Sequence, residues 1–235
     1  MTDVELHEHS HADVSGGWLR AAVFGAMDGL VTNTALVAGV GAGGAAAQTV
    51  VLSGMASLVA GAISMALGEY TSVTTQNEQL ALEVAKERGE LLRNPEGERR
   101  ELVALLRRGG VDDELAEQVS VQLSRDPETA LRLHVVAEMG LSPEDTPSPR
   151  VAAVSSFVTF SVGAVVPLLP FLFGYSSLWV ALVCGGAGLA AAGALSSRFT
   201  PRPWWWSALR QLAFGAVAAG ATYLIGSAIG VAVSG

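Results

Sequence analysis

The feature that most constrains the fold is a proline-free run of forty-five residues, from Gln48 to Leu92. Its first half, up to Gly68, carries no charged residue, whereas its second half carries five glutamates. A single helix of this length would measure about 67 Å, at about 1.5 Å per residue. The hydrocarbon core of a bilayer takes about 30 Å of that length. The run therefore predicts one helix that crosses a membrane and continues into water.

The overall composition agrees with a membrane protein. Half of the 235 residues are hydrophobic, the mean hydropathy is +0.42, and only 15% are charged, against about 25% in a soluble globular domain. Five stretches with few or no charges are each long enough to cross a bilayer: 18–42, 48–75, 151–173, 176–197 and 211–233. We therefore predict an all-α integral membrane protein with five transmembrane helices.

An acidic segment, residues 76–149, lies between the second and third of these stretches. It holds sixteen Asp or Glu against nine Lys or Arg, so it accounts for −7 of the net charge of −8. Such a segment disfavours nucleic acid as a partner and favours cations. Its helix-start signals predict three helices. These signals are Asn94-Pro95, Asp112 or Asp113, and Asp126-Pro127.

The basic residues predict the orientation. All fourteen Lys and Arg fall in or beside the amino-terminal tail, the acidic segment and the turn around 198–210. Because Lys and Arg are enriched in cytoplasmic loops, we expect the amino terminus and residues 76–149 in the cytoplasm and the carboxyl terminus outside. The usage of Ala, Gly and Arg favours a bacterial cell (inner) membrane. The predicted domains are a flexible cytoplasmic tail (1–17), transmembrane helices 1–2 (18–75), the cytoplasmic acidic helical domain (76–149) and transmembrane helices 3–5 (150–235).

Three side chains in the first two spans are candidates for an ion path. Asp28 is a carboxylate inside a span, which costs about 2.5–3.5 kcal/mol at the bilayer centre, so it is expected to face a polar path or a partner. The alternative is a polar contact at a helix interface, with Thr32 or Asn33 as partner. Met65 offers a soft thioether ligand, but a methionine in a span is often a packing residue. Glu69, one turn later, is either a ligand at the mouth of the path or the interfacial start of the water-exposed helix.

Closely spaced carboxylates recur in the acidic segment. The candidate metal ligands are Glu87, Glu90, Glu98, Glu101, His134 and Glu138. Positions three apart share a helix face, so each Glu-x-x-Glu pair offers two carboxylates to one ion, and the turn at Asn94-Pro95 lets the two pairs meet. Oxygen ligands with one imidazole suit Fe²⁺, Mn²⁺ or Zn²⁺. The alternative is a solvated acidic surface.

The amino-terminal tail carries three alternating histidines, His7, His9 and His11. They indicate either a segment that collects metal or a disordered polar terminus. The single cysteine, Cys184, lies in an apolar run, so we expect no disulfide.

With Asp28-Gly29-Leu30, the stretch GAISMALGEY and the Glu-x-x-Glu pairs in place, the chain resembles the vacuolar iron transporter family. The resemblance implies a five-span homodimer that exports cytosolic Fe²⁺, often also Mn²⁺, in exchange for protons, and a cytoplasmic metal-binding domain between the second and third spans. By this resemblance Asp28 matches the family's pore carboxylate and Met65 its second-span methionine. The glutamates of the cytoplasmic metal site are matched by Glu87, Glu90, Glu98, Glu101 and Glu138. Three positions depart from the pattern: His134-Val135 replaces a methionine pair, Ser57 replaces a glutamate, and Glu69 stands where eukaryotic members tend to have Gly.

We therefore expect an exporter of divalent transition metals and not an enzyme, with no prosthetic group. Its expected partners are Fe²⁺ or Mn²⁺, protons, the lipid bilayer and a second copy of the chain, with no nucleic acid. The main alternative is a membrane-tethered di-iron, ferritin-like storage or oxidase module. Such sites use Glu-x-x-His on two helices, and residues 76–149 contain no such motif. A second alternative is a metal sensor without transport, in which Asp28 is structural.

Overall fold

A computed structural model describes residues 17–140 and 146–234. The histidines of the tail lie outside the described residues, as do the side chains of Glu138, Met139 and residues 231–234. The described chain is helical, which confirms the all-α prediction. It divides into two compact units: Val73–Pro147, called the acidic unit, and Gly17–Ser72 together with Ser148–Gly235, called the apolar unit.

The second helix confirms that the proline-free run forms one helix, because α2 is a single α-helix from Ala47 to Arg93. No proline interrupts its hydrogen-bond ladder, and the only break comes where Asn94-Pro95 follows, since proline disfavours a helical residue before it. The first part of α2 belongs to the apolar unit and the remainder to the acidic unit.

The apolar unit consists of helices with little charge. Besides the start of α2, they are α1 (Trp18–Ala42), α6 (Pro149–Val165), α7 (Leu169–Leu172), α8 (Leu178–Ser196) and α9 (Trp204–Ser234). A 3₁₀ turn at Val166–Leu168 joins α6 to α7, where Pro167 and Pro170 each remove a backbone donor. Within the described residues, five helical segments are long and apolar enough to cross a membrane. This agrees with the five predicted spans.

Helix α1 lies at the centre of the apolar unit and packs against α6, α8 and α9. Small residues bring α1 and α6 close together. A Cβ atom added to Gly29 would meet the backbone carbonyl oxygen of Phe160, and one added to Gly163 would meet that of Ala26. Small residues allow such approach between membrane helices. Any side chain at Gly29 must therefore push the two helices apart.

A buried amide links α1 to two other helices. The side chain of Asn33 is fully buried. Its Nδ2 donates to the backbone carbonyl of Gly54 on α2 at 3.2 Å and to that of Ala164 on α6 at 2.7 Å. Asn33 therefore fixes the positions of all three helices at one level.

Gly29→Ala is expected to lower the free energy of unfolding by about 1–3 kcal/mol, because an overpacked backbone contact must open. Gly220→Ala is the matched control. No atom lies within 4 Å of a Cβ added there, so alanine should stabilise α9 by about 0.5–1 kcal/mol. Thermal unfolding in detergent measures both. Equal melting temperatures for the two variants would contradict the close packing of α1 on α6.

The acidic unit contains α3 (Pro95–Arg108), α4 (Asp113–Leu123) and α5 (Pro127–Met139), together with the end of α2. The predicted starts are confirmed. Asn94 Oδ1 accepts a hydrogen bond from the Gly97 N–H at 3.1 Å, and Asp126 Oδ1 accepts one from the Glu128 N–H at 3.2 Å. These caps satisfy backbone donors that the first helical turn leaves open. Among the described residues of the unit, the buried apolar ones are Val73, Leu102, Val103, Ala116, Ala130, Leu131 and Val135.

Candidate metal site and path residues

Three potential metal ligands meet in the interior of the acidic unit: Glu87 on α2, Glu98 on α3 and His134 on α5. These residues are almost completely buried, with exposed fractions of 6%, 7% and 1%. His134 Nδ1 lies 3.3 Å from Glu87 Oε1 and 3.9 Å from Glu98 Oε2. One ligand atom from each residue lies within 4.8 Å of the other two. We call these residues the buried triad.

The capped starts of α3 and α5 and the apolar core of the acidic unit determine where the triad residues lie. Glu98 stands one turn after the Asn94 cap, and His134 lies two turns into the helix that Asp126 caps. Next to His134 in the chain, Val135 is fully buried. The face of α5 that carries the imidazole is thus directed inward by the apolar core.

The triad has the chemistry of a site for a divalent cation. Carboxylates buried in a protein interior are paired or coordinate metal, and two carboxylates with one imidazole suit borderline metals such as Fe²⁺, Mn²⁺ and Zn²⁺. At metal–ligand distances of about 2.0–2.2 Å, donor atoms around one ion lie about 3 Å apart. The separation of 3.3 Å between His134 and Glu87 is close to that value. The other ligand atoms of the triad lie no more than 4.8 Å apart, so the site needs only a small contraction before all three residues can bind one ion.

The other predicted ligands are placed differently. Glu90 and Glu101, the second members of the two Glu-x-x-Glu pairs, are exposed. The side chain of Glu138 lies outside the described residues. Positions three apart differ by about 60° around a helix axis, so packing against one side buries the first member and leaves the second in water. The structure thus brings together one carboxylate from each pair.

Two titratable groups strengthen the scaffold around the triad. Hydrogen bonds from Arg99 to Glu96 and to Glu117 raise the pKa of the Arg99 guanidinium above its ordinary value and connect α3 with α4. The hydrogen bond from the Thr129 hydroxyl, followed by that from the Glu128 N–H, lowers the pKa of Asp126. The cap of α5 is therefore fully ionised at neutral pH.

In the apolar unit, the predicted path carboxylate Asp28 is half-buried on α1. The Thr32 hydroxyl donates to Asp28 Oδ1 at 2.9 Å, within the same helix. Among the described residues, no Lys or Arg forms an ion pair with Asp28. Thr32 is the partner named as an alternative from the sequence, but its single neutral hydrogen bond leaves the charge without a counter-ion.

Met65 packs beside an apolar cluster. It is half-buried against Ala62, Phe160 and Ala164, together with Leu58. These apolar contacts are sufficient to explain the position of the Met65 side chain as a packing residue. Its thioether also lies one turn before Glu69, on the same face of α2.

Glu69 is a buried carboxylate with a cationic partner. Its side chain is 8% exposed, whereas that of Arg20 is 60% exposed, and Arg20 Nη2 lies 2.7 Å from Glu69 Oε2. From the sequence, Arg20 served only to predict the orientation in the membrane, and its ion pair with Glu69 was not predicted. The sequence does carry a signal: Arg20 stands 24 residues before Gly44 and Glu69 stands 25 after it. In an antiparallel helical hairpin that turns near Gly44, these two positions face each other.

Comparison with known families decides the classification. The model of the VIT family matches residues 19–227, which is most of the chain. This chain belongs to the VIT family. The resemblance noted from the sequence is thereby confirmed.

Curated relatives of this VIT-family chain are named for iron transport. A protein of Acanthamoeba castellanii named vacuolar iron transporter is 37% identical over 166 residues, which are 71% of this chain and 60% of that protein. Vacuolar iron transporter 1 of Eucalyptus grandis is 29% identical over 231 residues, covering 95% of this chain and 92% of the relative. The protein of the same name in Oryza sativa subsp. japonica is 29% identical over 230 residues, covering 95% and 91%. The alignments to the two plant proteins thus extend over both units.

Proposed function

We propose that this protein exports divalent transition metal, Fe²⁺ and also Mn²⁺, from the cytosol across a bacterial cell membrane in exchange for protons. Membership of the VIT family and relatives named vacuolar iron transporters support metal transport. The single observation that carries the proposal is the buried triad, because its two carboxylates and one imidazole form a donor set for such ions.

In this proposal the acidic unit lies in the cytoplasm and gathers metal. Glu87, Glu98 and His134 bind the ion, and Glu138 adds a further carboxylate. Glu90 and Glu101 act from the surface, where the net negative charge of the segment raises the local concentration of cations. The buried triad thus selects among metal ions, and the exposed acidic surface increases the rate at which cations reach it.

Asp28, Met65 and Glu69 then serve as the path through the membrane. A carboxylate that holds either a metal ion or a proton exchanges one for the other. In the proposed cycle, a proton from the outer side neutralises Asp28 and releases the metal there. The absence of a basic partner among the described residues around Asp28 supports this role, since a fixed counter-ion would compete with the cargo.

The orientation and the assembly are part of the proposal. The turns 43–46 and 173–177 contain no Lys or Arg, which supports an outer location and a carboxyl terminus outside. We also propose a homodimer. Large apolar side chains at Leu52, Val59, Ile63 and Leu67 are exposed along one side of α2, and a second copy would cover them.

The proposal is tested by flux into proteoliposomes. Purified protein reconstituted with an internal pH reporter should move Fe²⁺ and Mn²⁺ and carry protons in the opposite direction. Competition with Co²⁺ and Zn²⁺ ranks the selectivity. Metal movement without a proton signal would refute the exchange, and absence of any flux would refute transport.

The storage or oxidase alternative makes a different prediction. It expects consumption of oxygen upon addition of Fe²⁺ and more than one iron bound per chain. In the described residues, a single group of three ligands is found, whereas a di-iron carboxylate site uses a Glu from each of two helices and a Glu-x-x-His motif from each of two others. Oxygen uptake and metal stoichiometry on the reconstituted protein distinguish the two functions.

A further inference from the structure

The ion pair between Arg20 and Glu69 is asymmetric. The Glu69 carboxylate lies on a buried face of α2, which also carries the buried residues Ala62 and Val73, whereas the Arg20 side chain is 60% exposed. A single nitrogen of Arg20 makes the contact, at 2.7 Å. Arginine often binds a carboxylate through two parallel hydrogen bonds, and that arrangement is not the one in this pair.

Because of this difference in exposure, Arg20 is the member of the ion pair that can be exchanged for another cation. Leaving a buried carboxylate without a cation is costly, so Glu69 requires some positive charge beside it. Arg20 loses little by leaving, because its mostly exposed guanidinium is readily hydrated once the contact is broken. A divalent cation that reaches Glu69 can therefore replace Arg20 without leaving either charge stranded.

We propose that Arg20 is an internal competitor for the transported cation at Glu69. In the ion-free protein Arg20 occupies the carboxylate, and the arriving metal ion displaces it into water. Arg20 thereby raises the metal concentration needed for half-maximal transport and prevents Glu69 from retaining the ion. This inference rests on the proposed transport function and assigns a new role to a residue outside the ligand set.

The test compares metal flux in proteoliposomes at varied Mn²⁺ concentration. Arg20→Gln is expected to lower KM by about two- to fivefold, because the mostly exposed guanidinium limits the contribution of the pair to about that of a surface ion pair. Arg20→Lys keeps a cation but loses the planar guanidinium, so its KM should fall less. Arg210→Gln is the matched control, since Arg210 is an exposed arginine at the start of α9, and its KM should equal that of the parent.

The Glu69→Gln variant serves as a background that distinguishes competition at Glu69 from a general electrostatic effect of Arg20. In Glu69→Gln, whose own KM should rise, removal of Arg20 is expected to cause no further change. A KM at or above the parent value in Arg20→Gln and Arg20→Lys would overturn the inference, as would an equal fall in KM in the Glu69→Gln background. If Arg20→Gln does not fold, Arg20→Lys alone decides by the same criterion. Lack of saturable flux in the parent would instead refute the proposed function.

Discussion

Replacing Asp28 by asparagine is expected to abolish metal flux, with a loss of about a hundredfold or more. Asparagine keeps the shape of the side chain, and its Oδ1 can still accept the hydrogen bond from Thr32, but it has neither the charge nor the proton that exchange requires. In the proposed cycle the arriving metal ion is the charge partner of Asp28, and removing one partner of a buried charge pair costs about 3–5 kcal/mol, which corresponds to at least that factor. Binding of metal by the purified protein at the buried triad should be unchanged.

Thr32→Val is the control that separates the two readings of Asp28. It removes the hydroxyl that donates to Asp28 Oδ1 and leaves the carboxylate in place. If Asp28 carries the ion, Thr32→Val should reduce flux by no more than about tenfold, the value of one ordinary hydrogen bond. If Thr32→Val reproduced the loss in Asp28→Asn, the carboxylate would be a structural partner of Thr32 and not a carrier of the ion.

The second large effect is expected within the Glu-x-x-Glu pairs. Glu98→Gln should weaken metal binding by at least about 10–100-fold, which is the loss seen when even an outer-shell partner of a metal site is removed. Glu101→Gln, the same substitution one turn later on α3, should change affinity by less than about threefold. The reason is burial: Glu98 belongs to the buried triad, whereas Glu101 is exposed.

On α2, Glu87 is buried and Glu90 is exposed, so Glu87→Gln and Glu90→Gln provide the same comparison. Titration calorimetry of the full-length protein with Mn²⁺ or Co²⁺ measures all four variants. Circular dichroism verifies that each remains folded. Equal losses for both members of a pair would contradict the assignment of the buried members as the ligands and would favour a site spread over the acidic surface.

Much of the architecture was predictable because it depends on local chemistry. The continuity of α2 follows from the absence of proline between Gln48 and Leu92. Asn94-Pro95 and Asp126-Pro127 mark the starts of α3 and α5 by capping, which neighbouring residues determine. The five apolar stretches are long enough to be recognised by length and composition alone.

The arrangement of the site was less predictable because it depends on tertiary packing. Spacing places Glu98 and Glu101 on similar sides of α3, but the position of α5 decides which of them meets His134. The pairing of Arg20 with Glu69 likewise required knowledge of where α1 and α2 turn. The nearly equal separation of Arg20 and Glu69 from Gly44 is a signal that a hairpin hypothesis could have used.

The amide of Asn33 has a consequence for the conformational cycle of transport. Its two hydrogen bonds hold α1, α2 at Gly54 and α6 at Ala164 in one rigid body. Separating them would strand a polar group in an apolar interior, at a cost of about 1–3 kcal/mol. An alternating-access motion that leaves this junction intact must therefore carry the three helices together, with hinges at other levels of the spans.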